Sequence, residues 1–393
     1  MSPRIIASGI SLAVVVRGWN QDVHYASAKL TEDLLDEGAL DALLQKHGDL
    51  TYYINWPDAN HRAGSMSGDP NRFGWSVFSH FVNSEPGEPY DPVKARETKT
   101  VNDKGESRET PNAVNSMIHF HDKLLHYKSF DELDYVSEKM KAADKALHDA
   151  QPVPFLKNTV LERFKREATY SISHYFQDIH NPFHCADAHD MGGYKHTMVC
   201  RFCEDKEKKT NIHSVWDADM FDYELREAFE YDYVDQMESF ELDRYPFGQK
   251  LYSMVKERHD RLRETNPEQL EGWTEQCSGD FGRCIDTAVG ETRKFYVDNE
   301  KELYAGEKDG VVTKAYLDKY VEKAFEQVIK ASVRLAAALN KMAKDLNESQ
   351  SKPRERTAQK PFKVSSKRAL KIAHQTTTRS EATNADDIDV ISY

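Results

Sequence analysis

HYFQDIHNPFHCADAHDMGG, residues 174–193, carries four histidines and three aspartates in twenty positions. His174 and Asp178 are four apart, so on a helix both project from one face toward a common point. Pro182 lacks a backbone donor and ends or kinks that helix, which leaves His184 just past the break. Downstream, TNIHSVWD (210–217) repeats the four-residue spacing with His213 and Asp217. One such pair is ordinarily a surface ion pair. Two pairs with a histidine between them offer five ligands of the types zinc prefers, imidazole nitrogen and carboxylate oxygen. Structural zinc is mostly held by thiolates, so a His/Asp set points to a catalytic site. His180, His189 and His196 read as bystanders, polar or exposed.

The surrounding 393 residues predict an all-α chain, mainly one helical domain with at most a small hairpin. Apolar residues recur at helical spacing from Ala26 to Leu44, and a longer face runs from Tyr316 to Leu346. KHTMVCRFC (195–203) is the best hairpin candidate. The polar, Pro- and Glu-rich segment 84–111 reads as an unstructured surface insertion. Residues 348–393 read as a disordered basic tail, with nine Lys or Arg against one Glu between 351 and 379. A net charge of −13 argues against a protein that coats nucleic acid through excess cations, though bound metal would invert the field locally.

At the amino end, Arg4 precedes an apolar run from Ile5 to Val16, with small residues at Val16 and Gly18. This predicts a signal peptide over 1–18, a processed chain beginning at Trp19, and secretion or residence in a secretory-route compartment such as a vacuole or lysosome. No transmembrane segment is expected. Of five cysteines, Cys277 and Cys284 are the expected disulfide; Cys200 and Cys203 could be a redox pair, half a zinc site or two thiols. Asn347-Glu-Ser is the one glycosylation sequon.

The motifs HYFQDIHNPFH, DMGGY and TNIHSVWD resemble the signature of the zinc-dependent, single-strand-specific class I nucleases, or 3′-nucleotidases, relatives of zinc phospholipase C. GWNQDVH (18–24), NWPDAN (55–60), WSVFSHFVN (75–83), NAVNSMIHF (112–120) and VRLAAALNKM (333–342) extend the likeness over roughly residues 19–346, within one domain expected over 19–347. The resemblance implies that fold and three zinc ions. Asp58, His80, His174 and Asp178 would hold the first. His24, Asp178 and the amine and carbonyl of Trp19 would hold the second, with Asp178 bridging. His184, His213 and Asp217 would hold the third. His119 rivals His80, which is preferred because Trp75 lies five residues before it.

The implied activity is endonucleolytic hydrolysis of single-stranded RNA or DNA to 5′-phosphorylated products, with 3′-nucleotides as further substrates and no stable protein partner. Zinc brings the pKa of bound water to about 7, and Asp178 takes the central catalytic position. Acid should abolish activity as imidazoles protonate. Two substrate-site positions depart from the family pattern: Asn83 stands where the family has Asp, and Tyr194 where it has Asn. They keep open a phospholipase C-like activity on lipid headgroups and, more remotely, a non-catalytic secreted zinc-binding protein of the same fold.

Overall fold

Asn20 starts the fold: its side chain accepts the Val23 N–H and caps helix α1 (Gln21–Asp33). The computed structural model describes residues 19–44, 49–61, 74–82, 84–97, 99–101, 107–109, 112–126, 160–200, 202, 208–229, 246–304 and 310–351. The expected signal peptide 1–18, Asn83, and residues 352–393 of the expected tail lie outside them. Helix α1 is followed by α2 (Ala39–Leu44), α3 (Leu50–Tyr53), α4 (Trp56–His61) and a 3-10 turn over Gly74–His80. The apolar stripe expected from Ala26 to Leu44 is therefore two helices. Gly38, at φ +79°, takes the left-handed turn that separates them.

The 84–111 segment corrects the reading of an unstructured insertion. It contains helix α5 (Pro92–Arg96) and an antiparallel pair, β1 (Lys99–Val101) with β2 (Ser107–Glu109). Arg96 clamps Asp286 with two guanidinium bonds of 2.9 and 2.7 Å, and the Tyr90 hydroxyl donates to the same carboxylate at 2.7 Å. A polar sequence here means docking through side-chain hydrogen bonds in place of apolar burial.

Helices α6 (Ala113–His126) and α7 (Val160–Asp178) pack together, and α7 ends where Pro182 forbids continuation. Strand β3 (Thr197–Cys200) pairs antiparallel with β4 (Lys208–Asn211), so the return strand lies beyond the expected 195–203 hairpin. Parallel pairing of β3 with β5 (Val311–Val312) makes this a three-stranded sheet, which local sequence could not announce. Between β4 and β5 come α8 (Ile212–Ser214), a π turn (Val215–Asp219), α9 (Met220–Phe229), α10 (Pro246–Thr265), α11 (Pro267–Cys277) and α12 (Phe281–Leu303). The Cys277–Cys284 disulfide joins α11 to α12 as expected, and Cys200 is also disulfide-bonded. Helix α13 (Lys314–Ser351) follows β5 and enters the start of the expected tail. No helix among the described residues is long and apolar enough to cross a membrane.

Two apolar cores flank the middle of the molecule. One gathers α2, α6, α7 and the Leu335–Leu346 end of α13. The other gathers α1, α9 and the Leu317–Val333 part of α13. Phe176 and Ile179 belong to the first core and Phe183 and Trp216 to the second. The histidine-rich stretch thus crosses the seam between them.

Candidate metal centre

Each motif is delivered by its own element. Helix α1 carries His24, α4 carries Asp58, and the 3-10 turn ends on His80. The last turns of α7 carry His174 and Asp178 at the expected i, i+4 spacing. His184 lies in a short 3-10 turn over Pro182–Cys185 capped by Asn181. His213 lies on α8, and Asp217 in the π turn, a wide turn that recurs at functional sites.

These eight side chains converge and are all buried. They form three groups whose ligand atoms lie within 4.8 Å of one another: His24, His174 and Asp178; Asp58, His80 and His174; His184, His213 and Asp217. Asp178 is the hub. Its carboxylate stands 2.8 Å from His80 Nδ1, 3.2 Å from His24 Nε2, 3.4 Å from His174 Nε2 and 3.9 Å from His184 Nδ1. Asp217 stands 2.9 Å from His213 Nε2 and 3.4 Å from His184 Nε2. His119 belongs to none of the three groups, whereas its rival His80 does.

The protein fixes the tautomers. Nδ1 of His174 donates to the Ile54 carbonyl (2.9 Å), Nδ1 of His184 to the His80 carbonyl (2.7 Å) and Nδ1 of His213 to the Gly192 carbonyl (2.7 Å). His24 Nδ1 donates to Gln177 Oε1 at 2.6 Å. A neutral ring that spends its proton on Nδ1 turns a lone pair on Nε2 toward the carboxylates. Accordingly, Nε2 of His24, His174, His184 and His213, with Asp178 Oδ1 and Asp217 Oδ2, are buried and make no protein hydrogen bond. His213 Nε2 and Asp217 Oδ2 are within ion-pair distance, yet two acceptors facing each other cannot bond. A buried lone pair opposite a buried carboxylate oxygen is costly unless a cation lies between them. The donor set, imidazole nitrogen and carboxylate oxygen with outer hydrogen bonds to backbone, therefore fits divalent metal of the zinc type.

The electrostatics agree. Burial raises the Asp178 carboxyl, but the rings of His174, His184 and His24 outweigh it and hold the group well below the usual carboxylate range. Burial opposes a cationic His184, yet the Asp178 and Asp217 carboxylates lift it to about 9. The field that draws a proton to this ring draws a divalent cation equally. His24 is pushed down by burial and by His174, whose ring stacks on it at 3.8 Å.

Other expected residues fall nearby. The Trp19 side chain is buried with its indole 6.3 Å from the His24 ring, and the next N–H, of Asn20, donates to the Asp217 carbonyl at 3.0 Å. Tyr194 stacks on His213, with centroids 3.9 Å apart and planes at 26°. His189 is exposed and His196 half-buried against Asp190. His180 corrects the reading of a polar or exposed residue: it is fully buried, donates to the Phe176 carbonyl and faces Arg334 at 3.4 Å.

Three residues that spacing did not single out shape the centre. Gln177 sets the His24 tautomer. Asn181 donates to Asp217 Oδ1 at 2.5 Å. Gly192, at φ +64°, brings its carbonyl to His213, and a Cβ there would meet the Phe183 carbonyl at 2.6 Å. An Asn before a Pro signals a cap, which Asn181 is; its second bond had no local signal.

A helical scaffold around a buried array of five imidazoles and three carboxylates defines a class of protein with three adjoining groups that could hold metal. The chain belongs to the S1/P1 Nuclease family, whose model matches residues 19–344. It is similar to Endonuclease 2 of Arabidopsis thaliana, 23% identical over 334 residues covering 83% of this chain and 91% of that protein. Endonuclease 1 of the same plant is 23% identical over 340 residues, covering 84% and 88%. By family, the chain is a hydrolase of phosphodiester bonds in nucleic acid.

Proposed function

We propose that this protein is a secreted zinc-dependent endonuclease that cleaves single-stranded RNA or DNA to 5′-phosphorylated products and removes phosphate from 3′-nucleotides. The observation that carries the reading is the set of orphaned Nε2 and carboxylate atoms aimed at one another around Asp178 and Asp217. Zinc, when bound, supplies water of pKa about 7 and charge compensation for phosphate.

The chain's own residues do the rest. Asp178 stands 2.8 to 3.9 Å from histidines of all three groups and would be a ligand shared between the first two. Asp58 joins His80 and His174 in one site, and His184, His213 and Asp217 make the other edge, where leaving-group charge would be met. The Trp19 amine and carbonyl complete the His24 site, a role that needs processing after residue 18 to expose a terminal amine. The family match opening at Trp19 and the disulfides both support passage through an oxidising compartment.

The test is metal content and amino-terminal residue of the processed protein, together with hydrolysis of single-stranded RNA, duplex, 3′-AMP and a phosphatidylcholine analogue. Three zinc ions, Trp19 at the terminus and turnover of the first and third substrates are expected. Turnover of the lipid alone would make it a phospholipase, and zinc without turnover a binding protein.

A further inference from the structure

Among the described residues few large apolar side chains are exposed, and two are adjacent: Tyr52 (37%) and Tyr53 (42%). Their rings meet edge-on at 4.7 Å. Tyr53 then lies 5.5 Å from Tyr170 with planes at 32°, and Tyr170 lies 6.5 Å from Trp56. The result is a contiguous cluster of rings, exposed at Tyr52 and Tyr53 and backed by the buried Tyr170.

Its position is what gives it meaning. Tyr170 precedes His174 by four residues on α7, hence the same face and about 6 Å along the axis. Ile54, next to Tyr53, gives its carbonyl to His174, and Trp56 stands two residues before Asp58. Both segments that build the surface also build the Asp58–His174 edge of the metal centre. Resting on the nuclease reading above, we propose that Tyr52 and Tyr53, backed by Trp56 and Tyr170, form a stacking subsite for a base of single-stranded nucleic acid, one helical turn from that edge.

The chemistry favours a strand over other occupants. Aromatic faces hold unstacked bases without regard to sequence, whereas bases inside a duplex have no free face to offer. Arg166, one turn before Tyr170, places positive charge beside its phenol, and its buried Nη1 makes no hydrogen bond. Positive charge beside the rings is the sign that a strand's phosphates require. The Asp49 carboxylate, which also acts on Tyr170, accepts the Tyr52 N–H at 2.6 Å. The subsite would hold a base beyond the one whose phosphate lies at the metal centre, so a strand should gain more from it than a 3′-mononucleotide does.

The test uses the processed, zinc-loaded protein and a fluorescent ten-residue single strand with phosphorothioate linkages, read by anisotropy. Y52A/Y53A should weaken strand binding about tenfold or more. The ratio of kcat/KM on the unmodified strand to kcat/KM on 3′-AMP should fall by a similar factor. Y53F, which keeps the face, should bind as the parent does. Unchanged strand affinity in Y52A/Y53A, or an equal loss on strand and mononucleotide, would overturn the subsite. So would a parent that sediments as a dimer and a variant that is monomeric with its strand affinity intact, since the face would then be a subunit contact. The nuclease reading is scored separately, by parental hydrolysis of 3′-AMP and by zinc content.

Discussion

Asn181 donates to Asp217 Oδ1 across 2.5 Å while its own oxygen accepts the Phe183 N–H at 3.0 Å. One amide therefore holds a metal-group carboxylate and caps the turn that presents His184. Asn181→Ala should cost about 1.5–3 kcal/mol for a bond to a charged acceptor and weaken metal binding roughly ten- to hundredfold. Competition with a zinc chelator measures this. Wild-type affinity in the variant would show that Asp217 is held without Asn181.

Gly192→Ala strains the chain twice, through φ +64° and through a Cβ 2.6 Å from the Phe183 carbonyl. Backbone strain alone is worth about 1–3 kcal/mol, and relief by shifting the loop would pull the Gly192 carbonyl from His213. Thermal unfolding should show lower stability, and metal analysis should show loss from the His184–His213–Asp217 group first.

Tyr194 covers one face of the His213 ring. Aromatic pairs of this kind contribute about 0.5–1.5 kcal/mol beyond burial. Tyr194→Asn, the family residue, should speed chelator-driven release of one zinc equivalent several-fold, and Tyr194→Phe should not. Equal release rates in all three proteins would assign the ring no part in holding His213.

Chelation should abolish hydrolysis, and zinc should restore it. Because metal binds only the folded centre, stability follows metal concentration, with about 4 kcal/mol gained at a thousandfold excess over Kd. A melting temperature indifferent to chelator would show that the eight buried groups tolerate one another without a cation.

Much of the centre was legible because its pairs are local. The His174/Asp178 and His213/Asp217 spacings are properties of one helical turn, and both survive folding unchanged. The all-α expectation held for the same reason, since a periodic apolar face such as that of α13 is written along one segment. What escaped depends on distant backbone. Nothing in the residues around Ile54 marks its carbonyl as an acceptor for His174, 120 positions away. His180 is outside all three groups, as expected of a bystander, but it is buried, and its contact with Arg334, 154 positions on, has no local signal. The 84–111 segment looked structureless because composition records apolar content, and its docking runs through Asp286.

Ser27 Oγ meets Ser332 Oγ at 2.9 Å, 305 positions later, and the Asp36 N–H reaches Asn340 Oδ1, 304 positions later. Helix α1 is therefore tied to α13 as well as packed against α10. Contacts of such separation form slowly, so the link between α1 and α13 closes late in folding. His24 likewise meets Gln177, 153 positions away, so the group it belongs to is assembled only by long-range folding.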